Sequence, residues 1–302
     1  MKALQNTYPA EADATPAANR KACQRLSDAM GAVARGEFLL ALRYLEGYRR
    51  QIDYKAFFRR QADAPEGLSL SVIIAAFNTG RQLTECVASV LGGKADGCEI
   101  IVVDNGGNAS VLHDLLALPV TYIKNPGNLY PSEARNIGAY FARAPLLAFL
   151  DDDALASPFF CGAAREALAD PSVLAVRGRA TAKTESPGVN APPHYDLGPA
   201  PAPCRITLEG ASAWRRKEYL DAGGMDPLLF GHEGEELSLR LQDRYPAARL
   251  LYWPDMLIRH DFAATEEAHE SKRQRHAIMG RYFTWKRRQA QREATMPPAP
   301  CP

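Results

Sequence analysis

Leu70-Ser-Val-Ile-Ile-Ala-Ala-Phe77 is an unbroken apolar run that stops at Asn78-Thr-Gly80. A strand with one wet face would alternate apolar and polar residues. An unbroken run suits a strand covered on both faces, as in a parallel sheet. Working outward, a helical stretch over Gln82–Leu91 leads to a second such run, Glu99-Ile-Ile-Val-Val103, closed by Asp104-Asn-Gly-Gly107. A helix near Ser110–Leu118 leads to a third strand, Val120–Lys124, and a helix over Ser132–Ala142 to a fourth, Leu146–Leu150, which ends at Asp151-Asp-Asp153. Strands alternating with helices define βαβ units. The expected fold class is α/β, a doubly wound and mostly parallel sheet with a Rossmann-like nucleotide-binding half. Polar residues collect at the carboxyl ends of the strands, where such sheets bind ligands.

The flanks read differently. Residues 1–20 are rich in Ala, Pro, Thr and Asn and are expected to be disordered. Residues 21–66 form a helical extension and linker, broken near Gly36, with an apolar stripe of Leu39, Leu40, Leu42, Leu45 and Tyr48. These helices either pack on the central domain (67–265) or build a homodimer. Within that domain, residues 181–204 hold six prolines and two glycines and read as a long functional loop. Beyond it come a helix over Lys217–Ala222, a turn at Gly223-Gly224, a helix over Glu235–Arg244 and a strand at Arg249–Trp253. Residues 266–302 form a basic helix and a Pro-rich tail. Its stretch Glu270–Glu293 carries eight Lys or Arg against two Glu, with Tyr282, Phe283 and Trp285 interleaved. Such a helix either lies on an anionic membrane or packs its aromatic residues inward with a solvated basic face.

Composition narrows the classes. The chain has 302 residues, 46% hydrophobic and 24% charged, which are globular values. A net charge of +1 gives no global field for phosphate neutralisation and argues against nucleic acid as a partner. Six cysteines without a CxxC pair suggest reduced thiols rather than a disulfide framework or a zinc site. The opening residues lack a signal-peptide h-region, and no run of about 18 apolar residues exists to span a membrane. The expected location is cytoplasmic, with contact at the inner membrane face the alternative that the basic helix raises.

Three clusters carry chemistry. Asp151-Asp152-Asp153 puts three carboxylates after a buried strand, which is costly unless a positive partner sits there. Mg²⁺ or Mn²⁺ with substrate phosphates would answer that cost. In extended backbone Asp151 and Asp153 point one way and Asp152 the other. A solvated acidic turn or a helix cap before Ser157-Pro158 would produce the same letters. Asp104 can accept N–H groups of a base or ribose, or it can simply feed the Asn105-Gly106-Gly107 turn. In Phe230–Arg240, Glu233 stands at a helix mouth, with Glu236 and Arg240 on one face. Glu233 suits a general base, although a capping carboxylate with an i,i+4 ion pair is equally compatible. His232-Glu233-x-x-Glu236 lacks the second histidine of a zinc-hydrolase motif. His260 follows a strand and becomes a metal candidate only beside Asp153. P-loop, GxSxG and Gly-rich dinucleotide motifs are absent.

Five blocks in order resemble the family 2 glycosyltransferases of the GT-A fold. Ser71–Asn78 is similar to the opening strand SVIIPTYN, and Glu99–Asn105 to a strand ending VVDD. Gly127-Asn128 with Ala134-Arg-Asn-Ile-Gly138 resembles GxxxARNxG, and Phe149–Asp153 resembles FLDDD, the DxD motif. Gly223–Arg240 resembles GGFDE…GEDxxLxxR. The resemblance implies inverting transfer of sugar from a nucleotide diphosphate, a UDP-sugar favoured, to a glycan or lipid-linked acceptor. It implies donor binding by Phe77, Asn78, Asp104, Asn105, Asn128, Arg135, Asn136, Asp151 and Asp152. Mn²⁺ or Mg²⁺ would be held by Asp153 and Asp151, with His260 completing the shell. Glu209, Gly210 and Trp214 would wall the acceptor side. Where the family has Glu-Asp, this chain has Glu233-Gly234. Glu233 is therefore the first choice for the base and Glu236 the reserve. VVDD reads Val-Val-Asp-Asn here. A sugar nucleotidyltransferase and a non-catalytic nucleotide-sugar or glycan-binding domain are the alternatives.

Overall fold

The computed structural model describes residues 17–106, 114–184, 191–262 and 265–295. In chain order the first elements are α1 (Ala17–Arg35), α2 (Phe38–Gln51), β1 (Phe58–Arg60), β2 (Leu70–Ala76), α3 (Arg81–Leu91), β3 (Cys98–Asp104), β4 (Val120–Lys124), α4 (Tyr130–Phe141), β5 (Leu146–Asp151), β6 (Leu155–Ala156) and α5 (Phe160–Ala167). There follow β7 (Val173–Ala182), β8 (Ala202–Pro203), β9 (Ala211–Arg215), α6 (Arg216–Asp221), α7 (Glu233–Arg244), β10 (Arg249–His260) and α8 (Glu266–Thr295).

One sheet runs β1-β4-β3-β2-β5-β9-β7-β10-β6, with β8 paired to β10. Its β4-β3-β2-β5 half is parallel, and β9 enters antiparallel between β5 and β7. Alternate residues of β2 serve opposite cores: Ile73 packs in one buried cluster, and Leu70, Val72, Ile74 and Ala76 in the other. That two-sided cover is why the run carries no polar alternation. Each such aliphatic side chain contributes about 1.5–3 kcal/mol on full burial. Register sets the site: Ala76 pairs with Asp104 and Ala75 with Asp151, so both carboxylates leave the sheet at one edge, on either side of β2.

Several elements depart from the sequence expectation. Residues 17–20, expected to be disordered, already form the first turn of α1, while 1–16 lie outside the described residues. Residues 110–113 of the expected helix, and 185–190 of the long loop, also lie outside them. That loop begins later than expected, because 181–182 finish β7. β7 itself goes unread in the sequence because Arg177 interrupts its apolar pattern. Arg177 is nonetheless buried, donating to Cys204 Sγ and the His194 carbonyl and lying over the Tyr252 ring.

The N-terminal extension packs on its own chain. The hydroxyls of Tyr48 and Tyr54 both donate to Glu133 Oε1, a buried carboxylate on α4. The Phe38 ring lies 5.6 Å from Tyr282 and 5.3 Å from Trp285 on α8. α8 in turn buries Met279 and Tyr282 and ties its cations to the domain, Lys286 to Asp226 and Glu236, and Arg287 to Asp243. Of the two readings of the basic helix, inward packing of its aromatic residues describes this face. Among the described residues no helix is long and apolar enough to cross a membrane.

Candidate active site

The end of β5 splits its three aspartates. Asp152 turns back toward the loop after β2, accepting from Phe77 N at 2.9 Å and from Thr79 Oγ1. Burial raises its pKa to about 6 against those two hydrogen bonds. Asp151 and Asp153 face the other way, toward His260 at the end of β10, whose Nε2 lies 3.5 Å from Asp151 Oδ2 and 3.1 Å from Asp153 Oδ1. Burial disfavours the His260 imidazolium, but its contacts with the two aspartates outweigh that and push its pKa up to about 10. Burial would raise Asp151 as well. His260 and the Arg135 guanidinium overcome it and bring it down to about 2.

Arg135, buried on α4, joins two groups of carboxylates. One nitrogen donates to Asp151 Oδ1 at 2.9 Å and another to Glu233 Oε1 at 3.2 Å. Glu233 opens α7 after His232, which sits in the left-handed region at φ 70°. Its Oε2 accepts from Gly231 N at 2.5 Å. Glu209, in the turn before β9, accepts from Gly234 N at 2.8 Å through Oε1. Burial first, and then the nearby Glu233 charge, lift Glu209 to about 8. Gly210 is pressed against the site: a Cβ there would stand 1.9 Å from the Asp151 carboxyl.

Asp104 is buried at the end of β3, accepting from Gly106 N at 2.9 Å and from the Tyr122 hydroxyl. Beside it Phe77 is 54% exposed, and Asn78 adopts φ 52°. Asn105 ties neighbouring segments together. Its Oδ1 accepts from Asn125 Nδ2 and Leu129 N, and its Nδ2 donates to Asn128 Oδ1, holding the β4–α4 connection. Asn128 Oδ1 also takes Tyr130 N.

Three of the expected site residues are placed by other contacts. The Asn136 amide bonds Glu133, Met225 N and O, and the Tyr219 hydroxyl, pinning the Gly223-Gly224 turn. Trp214, expected on the acceptor side, is 0% exposed on β9 and pairs with Leu147, at the opposite end of β5 from Asp151. Glu236, the expected reserve base, is gripped through both oxygens by Arg240 at 2.7–2.9 Å, with Lys286 2.8 Å away. The bridging role of Arg135 had no local signal, because Asp151 and Glu233 stand 16 and 98 residues from it.

The donor set beside β5 is two carboxylates and an imidazole, a mixture that suits Mn²⁺ or Mg²⁺ with phosphate oxygens. Asp153 Oδ1 is buried without a hydrogen bond despite its 3.1 Å approach to His260, and His260 Nδ1 is likewise unsatisfied. Among the described residues no group of three or more His, Cys, Asp or Glu side chains is already arranged around a metal position.

A mixed α/β sheet with acidic groups at its strand ends defines the class as GT-A-type. Residues 71–208 match the profile of Glycosyl transferase family 2. It is 27% identical over 218 residues to a pre-mycofactocin glycosyltransferase of Mycobacterium tuberculosis, covering 67% of this chain and 44% of that one. The chain thus spans less than half the length of that curated relative. The crystal structure of S. aureus TarS 1–349 superposes with a TM-score of 0.54 at 17% identity, covering 73% of each chain. GalNAc-T7, solved with UDP, GalNAc and Mn²⁺, gives 0.54 at 19% identity over 66% of this chain and 44% of the other. At these identities the two structures share the fold.

Proposed function

We propose that the chain transfers a sugar from a nucleotide-diphosphate donor, a UDP-sugar favoured, to a hydroxyl of a glycan or lipid-linked acceptor, with inversion at the anomeric carbon. The observation that carries this is the convergence of Asp151 and Asp153 with His260 at the end of β5, across Arg135 from Glu233. The match of residues 71–208 to the glycosyltransferase family 2 profile supports it, as does the likeness of fold to a neighbour solved with UDP, GalNAc and Mn²⁺. Asp104, with exposed Phe77 and Asn78 beside it, receives the base and ribose. Asp151, fixed by Arg135, faces the ribose or sugar. Asp153, Asp151 and His260 would hold Mn²⁺ or Mg²⁺, which when bound neutralises charge on the leaving diphosphate. Arg135 keeps the donor-side and acceptor-side carboxylates in one register, so that an acceptor hydroxyl approaches opposite the leaving group. The test is nucleotide release from a panel of UDP-, GDP- and dTDP-sugars with Mn²⁺. Release with one donor, lost in Asp153→Ala, is the expected result. No release with any donor overturns the reading.

A further inference from the structure

Among the described residues Glu233, Glu236 and Asp151 each form an ion pair, whereas Glu209 forms none. Glu233 is anchored by Arg135 and Gly231 N, and cannot turn toward an acceptor without breaking those bonds. Glu236 is gripped by Arg240 and Lys286. Asp151 lies between Arg135 and His260. Glu209 differs. It enters from the turn before β9, at the same sheet edge as Asp151, where Gly210 O accepts from Asp151 N at 3.3 Å. Its Oε1 accepts from the backbone N–H of Gly234 at 2.8 Å, and among the described residues its carboxylate forms no ion pair. Its side chain fills the space over the first turn of α7. A Cβ at Gly234 would stand 2.8 Å from Glu209 Oε1, 3.0 Å from its Cγ and 2.7 Å from the Ile206 carbonyl. Gly234 is therefore the partner that lets the Glu209 carboxylate sit there.

We propose that Glu209, rather than Glu233 or Glu236, removes the proton from the acceptor hydroxyl, a role that rests on the transferase reading above. In the step, the ionised Glu209 carboxylate takes the acceptor O–H proton and the acceptor oxygen forms a bond to the anomeric carbon. The bond from that carbon to the diphosphate oxygen breaks, and its electron pair leaves with the nucleotide. A proton acceptor is most effective when its affinity for the proton lies near the operating pH. Burial and the Glu233 charge lift Glu209 into that range, to about 8.

The test compares wild type, E209Q and E209D by nucleotide release under saturating donor, with UDP affinity measured by calorimetry in the presence of Mn²⁺. Gln keeps the acceptor for Gly234 N and nearly the same shape, so E209Q isolates the proton-accepting oxygen. The expected result is a kcat lower by about 10²- to 10⁴-fold in E209Q with UDP affinity within about threefold of wild type. E209D, which keeps a carboxylate on a shorter arm, should recover at least about tenfold over E209Q. A kcat for E209Q within about tenfold of wild type overturns the assignment. Loss of UDP affinity along with the rate, or E209D no faster than E209Q, also overturns it. A wild type that releases no nucleotide from any donor overturns the transferase reading itself, and the assignment with it.

Discussion

Arg135 links two groups of three acidic residues through one member of each, Asp151 and Glu233. Asp151–Asp153 are adjacent in sequence and are presented by one strand end. Glu209, Glu233 and Glu236 come from a turn before β9 and from the first turn of α7. In the first group the two-residue period of extended backbone sorts the roles, sending Asp152 back to Thr79 and the other two toward His260. In the second group packing does the sorting: Arg240 and Lys286 claim Glu236, Arg135 claims Glu233, and Glu209 is held by the Gly234 backbone N–H without an ion pair among the described residues. Local periodicity assigns one set of roles and tertiary contacts assign the other. A sequence can therefore be read well for the first and poorly for the second.

The largest effect that would break this contrast lies in the first group. Asp153→Ala should lower the rate of nucleotide release by about 10³-fold or more, since metal-assisted charge neutralisation is worth several kcal/mol. Steady-state assays should show the same loss in wild type after EDTA and its recovery on adding Mn²⁺. Next comes the link between the groups. Arg135→Ala leaves two carboxylates without their shared cation, and breaking such a buried pair costs about 3–5 kcal/mol. Urea unfolding should show a lower midpoint with an unchanged slope. Within the second group, Glu236→Gln keeps the shape but removes the charge that faces Arg240 and Lys286. A loss of about 1–3 kcal/mol in the same assay is expected. A larger effect on turnover than on stability would return Glu236 to the chemistry.

The smallest effect is a slope. A carboxyl whose pKa stands near 8 when folded, against an ordinary value of 4.5, holds a proton that the unfolded chain has released. Stability therefore declines as pH rises from about 4.5 to about 8, because the unfolded state binds fewer protons across that window. Glu209→Gln removes this contribution. Its melting temperature should gain on wild type steadily over that window, and parallel pH curves for the two proteins would contradict the burial of the Glu209 charge.

How far the sequence could be read follows the same division. β2, β3, β4 and β5 show themselves because both faces of each are covered and their apolar runs are unbroken. The end of β5 displays its aspartates in plain order. β7 hides because a buried Arg177 looks like a surface residue until His194, Cys204 and Tyr252 are brought around it. Trp214 looks like a ligand wall because its letters stand next to Glu209 and Gly210, yet four residues of strand carry it to the far end of the sheet. Glu209 and Gly234 stand 25 residues apart, and only the fold shows that one fits because the other has no side chain.

The two tyrosines that meet on Glu133 bear on where this chain can be cut. A fragment starting at residue 67, where the sequence composition suggests a domain begins, would lose both Tyr48 and Tyr54 and leave the Glu133 carboxyl in an apolar cleft with Asn136 as its remaining hydrogen-bond donor. Asn136 also pins the Gly223-Gly224 turn ahead of α7, so the damage would travel from the excised helices toward the glutamates. The extension is thus an internal brace of the sheet domain, and a fragment that keeps that brace starts upstream of Tyr48.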